Sequence, residues 1–220
     1  KTRMSDFNAE KATLSSTVKA GTPAPKETEQ TTHFSIVDAE GNAVSITTTL
    51  NGGYGSKVVV GGAGFLLNNE MDDFSAKPGV PNMFGLIGAE ANAIEPGKRM
   101  LSSMTPTIVE RGDSLFMVVG TPGGSTIITS VFQTILNVVE HKRSMQEAVN
   151  AARFHHQWRP DTIFVEAKTL TPTVKQELEK MGHTIMERGN IGRVDAILVR
   201  TDGKLEGGAD IRGDDTALGY

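Results

Sequence analysis

The character of this sequence changes abruptly at residue 31, and that break constrains the fold more than any other feature. Residues 15–30 read SSTVKAGTPAPKETEQ, with Val18 as the one branched apolar residue among Ser, Thr, Pro, Gly and charges. That is the composition of a mobile linker. Upstream, residues 5–14 carry at most a short helix. From residue 33 to 38 polar and apolar side chains alternate, as in a half-buried strand. Residues 38–42 (DAEGN) supply a turn, and 43–50 (AVSITTTL) return as a β-branched strand. Two such runs around a Gly-Asn turn predict a β-hairpin.

A second hairpin is expected from 105–110, through Arg111-Gly112-Asp113, to 115–119. The RGD triplet is read as its turn rather than as an adhesion signal. A glycine-rich turn, 120–124, leads into 125–140, where Ile127, Ile128, Val131, Phe132, Ile135, Leu136, Val138 and Val139 recur at helical spacing. Further helices are expected over 145–152 and over 173–181, where Gly182 is the stop. A last hairpin is expected from 194–200, through the Asp202-Gly203 turn, to 205–208. Hairpins with helices grouped between them predict an α+β fold with largely antiparallel sheets. The Gly- and Asn-rich loops at 51–64 and 85–98 are long for a compact domain, which marks them as parts of a site.

Composition narrows the function by exclusion. The 220 residues are 38% hydrophobic, enough for one substantial core, and the net charge of -4 offers no pull toward nucleic acid or an anionic membrane. There is no cysteine, which excludes a disulfide framework, a thiolate zinc site and a cysteine nucleophile, and fits either redox compartment. No apolar run reaches the roughly 18 residues that span a bilayer. The opening Lys-Thr-Arg-Met reads as the middle of a longer polypeptide. Asn68-Asn-Glu-Met-Asp-Asp73 lacks the spacing of a calcium loop, and His155-His156 reads as packing rather than as a metal pair. No metal or cofactor is expected.

The border itself suggests chemistry. A threonine hydroxyl becomes nucleophilic only with a base at hand. A free α-amino group has a pKa near ~7.7 and serves as that base near neutrality. A threonine made N-terminal by cleavage of Gln30–Thr31 would therefore carry its own base, although Thr-Thr is equally an ordinary strand start.

The segment TTHFSIVDAEGNAVSITTTLN from Thr31 to Asn51 resembles the start of the small subunit of γ-glutamyltransferases. The resemblance continues through GFLLNNEMDDFS (64–75), KRMLSSMTPT (98–107), TPGGS (121–125) and ARFHHQW (152–158), and so covers 31–220. It implies an N-terminal-nucleophile hydrolase fold, a four-layer α-β-β-α sandwich, with residues 1–30 as the end of the large subunit and 31–220 as the catalytic domain. It implies autocatalytic cleavage at Gln30–Thr31, then transfer of a γ-glutamyl group from glutathione-like donors to amino acids, peptides or water. By position, Thr31 would be the nucleophile and Thr49 the hydroxyl bonded to it. Gly123 and Gly124 would form the oxyanion hole, where absent side chains let N–H groups approach an oxyanion closely. Asn51, Glu70 and Asp73 would hold the donor's α-ammonium, Ser102 and Ser103 its α-carboxylate, and Phe84 would wall a lid in the loop 78–88.

Departures are few. Met100 stands where many members have Pro, beside Ser102 and Ser103, and Thr121 replaces a common Ser; neither removes a catalytic group. Trp158, with His155 and His156, matches a family stretch without an evident catalytic role. The resemblance also implies a tightly bound large subunit and a periplasmic or secreted location. The alternatives are a cephalosporin or glutaryl acylase or a poly-γ-glutamate depolymerase of the same fold. The lid and the α-amino-binding set weigh against both, and a catalytically silent binding protein is the reading from another class.

Overall fold

The computed structural model describes residues 31–219, so the linker, the short upstream helix and Gln30 lie outside the described residues. Strands β1 (Thr31–Val37) and β2 (Ala43–Thr49) form the first hairpin, antiparallel, with Thr31 opposite Thr49 and Val37 opposite Ala43. Asp38 closes its turn by accepting the Glu40 and Asn42 N–H groups at 3.0 and 2.8 Å. That is the local bonding for which Asp is favoured in turns.

Strands β3 (Thr107–Arg111) and β4 (Ser114–Gly120) form the second hairpin; Gly112-Asp113 makes its turn, and Arg111 ends β3 paired with Ser114. Here β5 (Phe154–His155), β6 (Ile163–Val165) and β7 (Ile185–Glu187) make a small third sheet with β6 and β7 parallel. The last hairpin is β8 (Asp195–Val199) with β9 (Leu205–Ala209), and it joins β3 and β4 in a four-stranded antiparallel sheet of order β3-β4-β8-β9.

The helices are α1 (Ile127–Val139), α2 (Met145–Asn150) and α3 (Pro172–Lys180). Ser144 caps α2 through a reciprocal bond with Glu147, and Thr171 with Pro172 starts α3, each satisfying N–H groups that a helix start leaves open. α1 and α2 cover one face of the four-stranded sheet. The core there is Met117, Val119, Ile127, Val131, Met145, Val149, Val194 and Ala196, all 3% exposed or less. The β1–β2 hairpin covers the other face, where Ser35 and Ser45 donate to the Asp195 and Val119 carbonyls at 3.3 and 3.2 Å. The fold is α+β, and its described residues stack as hairpin, sheet and helices.

Four charged side chains tie this stack to the loop before β8. Arg153, 1% exposed, donates to Asp210 at 2.7 Å and to the Ile191 carbonyl at 2.8 Å. Glu166 accepts the N–H groups of Arg153 and Ile191, both at 2.8 Å, and Arg212 bridges Glu166 and Asp210. Every charge in the cluster has an opposite partner, the condition under which burial is tolerated.

Candidate active site

Alternation along β1 turns Thr31, His33 and Ser35 toward the four-stranded sheet, and along β2 it does the same for Ser45, Thr47 and Thr49. Antiparallel register sets Thr31 opposite Thr49, and their hydroxyl oxygens stand 2.8 Å apart. Thr49 Oγ1 also accepts the Asn51 N–H at 2.8 Å. Asn51 is 5% exposed and takes a left-handed backbone with φ 73°. Such a backbone favours Asn over bulkier residues and often marks a functional turn. Its Nδ2 donates to the Asn69 carbonyl at 3.2 Å and lies 3.8 Å from Met83 Sδ. Thr31, Thr49, Asn51 and the tip of the loop around Met83 thus form one connected group.

Glu70 and Asp73 lie in a 3-10 turn, Glu70–Asp73, with acidic residues Glu70, Asp72 and Asp73 and no basic residue. Burial raises the pKa of Asp73 to about 6, and the neighbouring Glu70 and Asp72 charges add to the rise; burial also raises Glu70. Glu70 and Asp73, held above their ordinary values, would be drawn back toward them by a cation beside the turn. The loop leans on this turn, since Met83 N–H donates to Asp72 Oδ2 at 3.1 Å and Asn82 donates to the Asp72 carbonyl at 3.4 Å. Asn82 Oδ1 in turn accepts the N–H groups of Phe84 and Leu86 at 3.0 Å, which fixes the loop's shape. Beneath it a cleft of about 260 Å³ is lined by Asp73, Ser75, Asn82, Asn92 and Ser103 among others. Asn92 joins the acidic turn to the serine segment, donating to the Asp73 carbonyl at 2.8 Å and accepting the Leu101 N–H at 3.0 Å. Ser102 is exposed, Oγ accepting the Met104 N–H at 3.2 Å, and Met100 is half-buried beside it.

Gly123 and Gly124 occupy the turn between β4 and α1 with φ of 145° and 56°, conformations that favour glycine. A side chain at Gly123 would press on Thr126 and on Gly192. The turn opens the 3-10 turn Gly124–Thr126 and then α1, so its first N–H groups are ones that a helix start leaves without an intrahelical partner. Strand β1 meets this region through His33, whose ring lies against Gly120, where a Cβ would overlap it.

Sequence reasoning missed His33, Asn69, Asn92 and Met83. His33 is 6% exposed, with Nδ1 2.8 Å from Thr47 Oγ1 and Nε2 3.0 Å from Ser35 Oγ. Burial lowers its pKa to about 4, so the ring is neutral near pH 7 and packs the two sheets together. Its place two residues from Thr31 on the same face was the available signal. The asparagines act through backbone contacts between loops, which no spacing in the sequence encodes.

Comparison with known proteins adds to this geometry. The family model described as Gamma-glutamyltranspeptidase matches residues 1–220. A Glutathione hydrolase proenzyme of Pseudomonas aeruginosa is 59% identical over 191 residues, 85% of this chain and 34% of the relative. The Glutathione hydrolase proenzyme of Escherichia coli is 49% identical over 211 residues, 96% of this chain and 36% of the relative. The chain therefore spans about a third of the length of these relatives. Among solved structures, a gamma-glutamyltranspeptidase from Pseudomonas nitroreducens complexed with L-DON is 55% identical, with a TM-score of 0.80 over 86% of this chain and 99% of that one.

Proposed function

The chain belongs to the gamma-glutamyltranspeptidase family, and on that premise we propose that it supplies the nucleophile of an enzyme transferring γ-glutamyl groups from glutathione-like donors to amines or water. The observation that carries this reading is the 2.8 Å contact between Thr31 and Thr49, made by a hydroxyl that already accepts the Asn51 amide at 2.8 Å. In the precursor, Thr31 Oγ attacks the Gln30 carbonyl carbon. The peptide C–N bond breaks, the nitrogen becomes the α-amino group of Thr31, and water hydrolyses the resulting ester to leave a free Gln30 carboxylate.

In the mature enzyme that α-amino group takes the Thr31 hydroxyl proton as Oγ attacks the donor's γ-carbonyl. N–H groups of Gly123 and Gly124 receive the oxyanion. The leaving amine departs with the proton, and an ester links the γ-glutamyl group to Thr31. An amine or water, losing its proton to the same base, then releases the product. Asn51, Glu70 and Asp73 hold the donor's α-ammonium, which supplies a cation beside the acidic turn. Ser102 and Ser103 receive its α-carboxylate, and the loop with Phe84 covers the site.

We further infer a large subunit from the same precursor as the stable partner, and a periplasmic or secreted location. No helix of the described residues is long and apolar enough to cross a membrane. Turnover of γ-glutamyl anilide against glutaryl anilide, which lacks only the α-amino group, tests the donor assignment. The account expects the former to be favoured by at least about tenfold, as for a charge-assisted bond; equal turnover would move the substrate to the acylase class.

A further inference from the structure

The covering loop and the glycine turn are joined through residues that the mechanism above leaves unused. Thr129 lies in the first turn of α1, and its Oγ1 is 2.8 Å from His155 Nδ1 and 3.1 Å from the Thr126 carbonyl. His155 is 2% exposed, and its Nε2 is 2.8 Å from Gln157 Oε1. The Gln157 Nε2 donates to the Phe84 carbonyl at 3.5 Å and to the Arg159 carbonyl at 3.1 Å. Strand β5, which bears His155, is pinned to the same helix: Gln133 donates to the Phe154 carbonyl at 2.7 Å and accepts its N–H at 3.1 Å.

The hydrogen-bonding capacities in this chain of contacts set its direction. Burial lowers the His155 pKa, so the ring is neutral, with one nitrogen donating and the other accepting. Gln157 presents its carbonyl oxygen to Nε2, so Nε2 carries the proton, and the single Thr129 hydroxyl proton is shared between Nδ1 and the Thr126 carbonyl. The amide is thereby held with its nitrogen toward Phe84. Gly85 leaves bare backbone there, since a Cβ at that position would lie 3.6 Å from Gln157 Nε2. Beside the Asn51–Met83 contact, the loop is thus tethered to Asp72 at the acidic turn and to Gln157 on the side of α1.

We propose that Gln157 is a positioning residue that fixes the loop 79–88 against the helix carrying the glycine turn, and so sets how the acyl-enzyme divides between water and amine acceptors; the second half rests on the function proposed above. A closed loop excludes bulk water while an ester waits for its acceptor. Loss of one tether shifts the open–closed equilibrium by about fivefold, the ratio that one net hydrogen bond supplies.

The test uses the full-length precursor carrying Gln157→Leu, Gln157→Glu or Thr129→Val. It follows amide hydrogen exchange of 79–88 and 127–139 by mass spectrometry, with hydrolysis and glycylglycine transfer measured beside it. Gln157→Leu and Gln157→Glu should raise exchange about fivefold in 79–88 alone, and raise hydrolysis relative to transfer by a similar factor. Thr129→Val leaves both tethers in place, should give a smaller change of the same sign, and keeps the test open if the Gln157 variants fail to mature. Unchanged exchange in 79–88, or an equal rise in 127–139, would overturn the proposal. Raised exchange in a protein whose wild type never turns over the anilide would keep the tether and sink the functional reading instead.

Discussion

Among the described residues, Thr49 Oγ1 contacts Thr31 Oγ1 and the Asn51 N–H, each at 2.8 Å. Thr49→Val keeps the shape of the side chain and removes these bonds. A lost bond to a group that gains charge in the transition state costs about 1.5–3 kcal/mol, so kcat should fall roughly 10- to 150-fold with little change in KM. Thr49→Ser should retain most of the rate. Asp73 gives a pH signature. Its pKa is raised to about 6 by burial first and by Glu70 and Asp72 second, so the carboxylate is charged above that value and neutral below it. The inhibition constant of free glutamate should therefore rise as pH falls from 7 to 5, and the Asp73→Asn variant should be flat over that range. At this scale motif resemblance pointed to Thr31, Thr49, Asn51 and Asp73, whereas nothing in the sequence pointed to the burial of His33. A buried histidine and a strand histidine look alike until the opposite sheet, here the bare backbone at Gly120, is known.

The first hairpin carries its polarity in an unusual sense. Its inward face is polar, with Thr31, His33, Ser35, Ser45, Thr47 and Thr49, while Phe34, Ile36, Val44 and Ile46 face outward at 39–51% exposure. Alternation along 33–38 revealed the strand, but not which face this chain buries, because the rule assumes that one chain fills its own core. A contiguous apolar strip marks an interaction surface, and the large subunit inferred above would supply the fourth layer there. Ile46→Asp, with its side chain directed away from Thr31, should lower co-purification of the two fragments at least about tenfold by placing a charge in that interface; undiminished co-purification would place the partner elsewhere. The helices and three hairpins were legible within about two residues at every end. Strands β5, β6 and β7 were not, since runs of two or three residues carry no period, and the parallel pairing of β6 with β7 depends on the intervening α3 crossover.

Across the whole molecule, the ionic cluster of Arg153, Glu166, Asp210 and Arg212 connects α2, the third sheet, β9 and the loop that packs on Gly123. Arg153→Met removes one guanidinium from Asp210, leaves Arg212 alone to balance two buried carboxylates, and should cost about 3–5 kcal/mol in denaturant unfolding. A cost below about 1 kcal/mol would mean that the cluster adds little to the fold. Apart from Arg153–Val149 and Arg212–Asp210, these contacts are distant in sequence, so composition could not reveal them. The central claim, that Thr31 is a nucleophile released by cleavage, concerns the entire precursor and is tested most directly by its intact mass. Purified full-length protein, and its Thr31→Ala variant, should be incubated and weighed before and after addition of a γ-glutamyl donor. A break between Gln30 and Thr31 should appear in the wild type alone, with the C-terminal fragment transiently heavier by one γ-glutamyl group. Cleavage that persists in Thr31→Ala, or a fragment that never carries the acyl group on Thr31 while donor is consumed, would contradict it.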